Sequence, residues 1–63
     1  MADLKLDVKT ALQETLNEKQ ELVRNYQSFA AHFDDVEISK LYKHFAEAEA
    51  LHASKLREKL ESM

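Results

Sequence analysis

Phe45-Ala46-Glu47-Ala48-Glu49-Ala50-Leu51-His52-Ala53 is the stretch on which the reading of this chain turns. It holds four alanines and no glycine or proline, a composition that favours helix. Glu49 and His52 stand three residues apart, so a helix places them on one face and lets a carboxylate and an imidazole converge on one point. The apolar positions on either side, Ile38, Leu41, Phe45, Leu56, Leu60 and Met63, recur at steps of three or four, which predicts an amphipathic helix. Glu49 and His52 fall on the same line. Two polar groups in succession on an apolar stripe cost free energy unless something pairs with them.

Composition sets the limits within which this pair must act. Sixty-three residues make at most one domain, with a small core that is marginal on its own. There is no cysteine, so neither a disulfide nor a thiolate metal site can form. A metal here would need carboxylates and imidazoles, a donor set that favours iron, manganese or zinc. The absence of glycine and proline excludes glycine-rich phosphate loops and disfavours tight hairpins between strands. Nine basic and twelve acidic residues give a net charge of −3 without a basic patch, a poor match to nucleic acid. No apolar run approaches a membrane span and no signal-peptide pattern opens the sequence, so a soluble cytoplasmic protein is the expectation.

Working outward, the only good break is Asp34-Asp35-Val36-Glu37. Asp34 followed by Glu37 fits a capping box in its acidic form, with a turn near residues 34–35 and a second helix over about 36–62. Before the break, Leu4, Val8, Leu12, Leu16, Leu22, Val23, Tyr26, Phe29 and Phe33 follow helical spacing. They predict a first helix over about 4–33, capped at Asp3 or Asp7. Its solvated face carries Lys9, Gln13, Glu14, Asn17, Gln20, Arg24 and Gln27. Lys19 falls on the apolar side, between Leu12 and Tyr26 on the same track.

A short connection makes the two helices antiparallel neighbours. The predicted fold is all-α, a two-helix hairpin whose arms are about 40 to 45 Å long. Tyr26, Phe29, Phe33, Tyr42 and Phe45 are too much aromatic surface to leave wet, so two hairpins are expected to dimerise into a four-helix bundle. Folding the chain at residues 34–35 brings Lys19 level with Glu49 and His52, within about one helical turn. The polar interruptions of both helices thus share one layer, flanked by Glu18 and Glu21.

Leu41, Phe45-Ala46, Glu49-Ala50-Leu51-His52-Ala53 and Leu56 resemble the Glu-x-x-His helix of ferritin-like proteins, closest to rubrerythrins. Tyr26, Phe29 and Ala30 are similar to the ligand-bearing first helix of that family. The resemblance covers most of the chain, as half of the family's four-helix unit. It implies one Glu from each first helix and one Glu-x-x-His from each second helix, together holding a di-iron or di-manganese site. A two-fold homodimer would rebuild that arrangement, with oxygen or peroxide reduction, or iron oxidation, as its chemistry. The family's first-helix Glu lies seven residues before the tyrosine matching Tyr26, and that position here is Lys19. A charged ammonium cannot ligate a metal. Either Lys19 pairs with Glu49 in place of a metal, or a rotated helix offers Glu18 or Glu21 as the missing ligand.

The sequence therefore supports two functional readings. In the first, the chain is a small rubrerythrin-like metal-binding protein, with Glu49 and His52 as ligands and Glu18 and Glu21 as candidates to complete the set. The Lys19 substitution leaves enzymatic activity without support. In the second, it is a metal-free homodimeric bundle acting as a structural or protein-interaction module, its polar layer fixing register. A weaker reading has the aromatic stripe bind a groove of a different protein. Glu47, His32 and His44 read as exposed. Tyr26 and Tyr42 read as seam residues with wet hydroxyls.

Overall fold

The computed structural model describes residues 7–63 as a helical hairpin. Helix α1 spans Val8–His32 and helix α2 spans Val36–Glu61, and they are the only regular elements among the described residues. At about 1.5 Å per residue the arms are about 37 to 39 Å long, slightly shorter than expected. The proposed start of the first helix at residue 4 and a cap at Asp3 lie outside the described residues. Asp7 stands at the N-cap of α1, where its carboxylate takes a hydrogen bond from Thr10 Oγ1 at 3.4 Å and none from the backbone.

The turn is Phe33-Asp34-Asp35. Phe33, predicted as the last helical residue, is instead the C-cap, its backbone extended and its N–H donating to Phe29 O. The predicted capping box is also corrected. The cap of α2 is Asp35, one residue later than Asp34, and its Oδ1 accepts from Glu37 N at 2.9 Å and Ile38 N at 3.2 Å. This puts Glu37 at the second helical position, one short of where it could reach back to the cap. Its charge still suits the positive end of the helix.

The packing line between the helices is a seam of strict three-four spacing. On α2 it runs Ser39, Tyr42, Ala46, Glu49, Ala53, Leu56, Leu60, and every other residue of that helix is exposed. On α1 it runs Leu12, Leu16, Lys19, Val23, Tyr26, Ala30, with Ala11, Thr15, Gln20 and Leu22 half-buried beside it. Gln20, placed on the solvated face from sequence, thus belongs to the flank of the seam. Such a seven-residue repeat is the packing rule of paired helices. The most buried members are Leu16, Ala30, Ala46 and Ala53, three of them alanines, whose small side chains allow the helices a close approach.

Here the structure revises the predicted apolar line of α2. Steps of three or four fit two neighbouring tracks, and the predicted line crosses between them. Leu56 and Leu60 lie in the seam, whereas Ile38, Leu41 and Phe45 lie beside it and stay exposed. Ser39, Ala46 and Ala53 pack inside the hairpin together with Tyr42, Leu56 and Leu60, whereas the track of Ile38, Leu41 and Phe45 faces outward. One further contact fastens the turn. Ser39 Oγ donates to Ala30 O at 2.7 Å, giving a partner to one of the carbonyls left open at the end of α1.

Candidate functional site

The polar layer lies midway along the hairpin. Lys19 Nζ stands 3.0 Å from Glu49 Oε1, and His52 Nδ1 stands 3.2 Å from the same oxygen. The side chains of Lys19 and Glu49 are 26% and 17% exposed, while that of His52 is 53% exposed. Sequence spacing placed Glu49 and His52 on one line. The structure keeps them in contact but sets Glu49 in the seam and His52 on the outward track that carries Phe45.

Two groups, the Lys19 ammonium and the His52 imidazole, thus share one carboxylate oxygen. Hydrogen bonding from Lys19 and then from His52 outweighs a smaller opposing effect of desolvation, and the Glu49 carboxyl is held below its ordinary value. The ammonium, 3.0 Å from this oxygen, also repels any cation that approaches it. The layer is satisfied: among the described residues no buried side-chain nitrogen or oxygen lacks a hydrogen-bond partner.

The fit of these residues to a metal can be judged from the donors present. Within one hairpin Glu49 and His52 are two donors, and Glu49 is already engaged by Lys19. Glu18 and Glu21, the other predicted ligand candidates, are exposed on α1. Among the described residues no group of three or more His, Asp or Glu side chains stands close enough to hold a metal ion. Two donors and an ammonium do not make a metal site inside a single hairpin. Glu47 is exposed, as expected, and lies 3.6 Å from His44 on the outer side of α2, repeating the Glu49–His52 spacing in reverse order with nothing packed over it.

Beside the layer, toward the turn, all three phenylalanines and both tyrosines meet in one cluster. Tyr42 is its centre, with ring centroids 5.2 Å from Phe29, 5.8 Å from Phe33, 5.8 Å from Phe45 and 5.9 Å from Tyr26. Tyr26 also meets Phe45 at 5.5 Å. Phe33 and Tyr42 are stacked and the other pairs tilted or edge-on, geometries that aromatic quadrupoles favour. The cluster is only half covered. Phe29, Phe33 and Phe45 remain 41–42% exposed, and Ile38 and Leu41 extend the same apolar surface at 39% and 44%. The opposite side of the hairpin carries Asn17, Arg24 and Gln27 on α1 and Lys43, Glu47 and Arg57 on α2, all exposed.

Sequence reasoning named the aromatic residues and put Ile38 and Leu41 on one apolar stripe with Leu56 and Leu60, without separating the seam from the track beside it. The signal that separates them was present: Ser39, Ala46 and Ala53 recur every seven residues, and small residues at that spacing mark the close-packed track. No helix among the described residues is long and apolar enough to cross a membrane. No protein-family model, curated protein or solved structure matches the chain.

Proposed function

We propose that this chain is a self-associating helical module: two hairpins pack aromatic face to aromatic face into a four-helix bundle that serves as a structural or protein-interaction unit. The observation that carries this reading is the exposed continuous apolar surface of Phe29, Phe33, Ile38, Leu41 and Phe45 on one side of a hairpin whose other side is polar. Apolar patches of this kind mark association sites. The occupant is a second copy. A stable interface covers about 800 Å² per partner, about a sixth of the 4941 Å² that the chain exposes, which a single hairpin face can supply. The Lys19–Glu49–His52 layer then fixes which levels of the bundle meet, a use of buried polar groups attested in paired helices.

The resemblance to ferritin-like proteins enters as a bundle in which a lysine stands at the ligand position. One observation favours a metal reading in second place: Glu49 and His52 do converge, at 3.2 Å. If the layer descends from a metal site, Lys19→Glu removes the ammonium and adds a carboxylate, and the dimer should then take up iron, manganese or zinc. An empty Lys19→Glu protein would leave the layer as structure alone.

The test of the leading reading is mass in solution by light scattering, with metal content measured on the same chelator-free sample. The expected result is a dimer without stoichiometric metal. Leu41→Glu, in the apolar face, should give a monomer, while Leu51→Glu, exposed on the outer side of α2, should leave the dimer intact. A monomeric parent chain, or a stoichiometric metal ion, would overturn the reading.

A further inference from the structure

Two hairpins can meet face to face about either of two axes. An axis parallel to the helices puts both turns at one end and lays α1 of each copy along α2 of the other. An axis perpendicular to the helices puts the turns at opposite ends and lays α1 on α1 and α2 on α2. The distribution of residues along the association face distinguishes them.

The levels of the hairpin are fixed by its own contacts: Lys19 with Glu49, Tyr26 with Tyr42, Ala30 with Ser39. Of the exposed large apolar side chains, Phe29, Phe33, Val36, Ile38, Leu41 and Phe45 lie in the half nearest the turn, and Val8, Leu51 and Met63 lie in the other half. In the other half the same outward track of α2 carries Lys55 and Lys59, and α1 carries Glu18, all exposed. Glu18, Lys55 and Leu41 share one rank of the helical repeat, the outer edge of the association face.

We infer that the second copy docks about an axis parallel to the helices, with both turns at one end of the bundle. In that arrangement the aromatic half of one copy covers the aromatic half of the other. Glu18 then shares an edge with the partner's Lys55. The two positions differ in level by about one and a half turns. Each side chain leans toward the N-terminus of its own helix, which in antiparallel neighbours closes the gap between them. The perpendicular axis does the reverse. It sets Glu18 beside the partner's Glu18 and Lys55 over the partner's Leu41, joining like charges and placing an ammonium on apolar surface. Charge and apolarity therefore select the same axis. This inference rests on the self-association proposed above and adds its geometry.

The chain has no cysteine, so a single one can be introduced for labelling. Asp34 is suitable, being exposed in the turn and not the residue that caps α2. Asp34→Cys carrying a spin label would be measured by pulsed dipolar spectroscopy, with mass determined on the same sample. Turns at one end predict a separation set by the width of a bundle, about 10 to 20 Å. Turns at opposite ends predict about 40 Å, the length of an arm. A dimer with the long distance would overturn the axis while leaving self-association standing, and a monomer would overturn both. Charge reversal supplies a second readout. Glu18→Lys and Lys55→Glu should each weaken the dimer by about five-fold, and the double variant should recover most of that loss. Failure of the double variant to recover would count against the Glu18–Lys55 edge.

Discussion

Glu49 Oε1 accepts from both Lys19 and His52, and this shared oxygen is what makes a polar layer tolerable in a seam of apolar residues. The consequence for mutation is asymmetric. Removing Lys19 alone leaves a half-buried carboxylate with one exposed imidazole as partner, so Lys19→Ala should lower the melting temperature. Replacing both members by apolar residues of similar length, Lys19→Met with Glu49→Leu, should recover that loss or exceed it. The recovered protein should show a broader distribution of assembly states if the layer fixes register. Titration gives a second handle. The native carboxyl of Glu49 is depressed below its unfolded value, which lies near pH 4. Its contribution to stability is therefore complete above the unfolded value and is lost as pH falls through the native one. Parent and Glu49→Gln proteins should differ in melting temperature at pH 7 and converge in acid. A difference that persisted once acid had protonated the native carboxyl would mean that the pair acts through packing and not charge.

At the scale of the element, the start of α2 depends on one carboxylate. Asp35→Ala removes the acceptor for the Glu37 and Ile38 amides and should cost about 1 kcal/mol, or about 4 to 8 °C in melting temperature. Asp34→Ala should change it little. The sequence showed that a helix begins here, because two acids precede a helical run. It could not show which acid caps, because both fit the same signal and the choice depends on where the chain leaves Phe33. The same limit applies to the seam. Helical spacing read from Ile38, Leu41 and Phe45 located the helix and its apolar side correctly, but large apolar residues weigh most in such a reading. The contact line itself is written in Ser39, Ala46 and Ala53, whose value lies in what they lack. Their small size lets the backbones approach, so Ala46→Leu should force the helices apart and cost about 1 to 3 kcal/mol, measurable by chemical denaturation. The level of the polar layer was legible because counting from the turn needs only the rise of a helix, and Lys19 does meet Glu49. The outward position of His52 was not, because three residues along a helix rotate it by about 60° short of a full turn.

At the scale of the molecule, a two-helix hairpin has one internal seam and little else to hold it. Its buried side chains are one leucine and three alanines among the described residues, a small apolar core for a chain of this size. The aromatic cluster beside the seam is half-covered, so much of the burial available to this chain lies outside a single copy. If the second copy provides it, folding and association are one equilibrium, and apparent stability follows protein concentration by mass action. A hundred-fold rise in concentration should raise the midpoint of thermal unfolding by several degrees. Leu41→Glu should flatten that dependence and lower the midpoint at every concentration, because it removes the interface without touching the seam. Leu51→Glu should track the parent protein. If instead the midpoint of the parent chain were independent of concentration while helicity was retained, the hairpin would be stable alone. The aromatic face would then be free for a different partner, and the balance of stability would have to lie in the Tyr42-centred cluster within one copy.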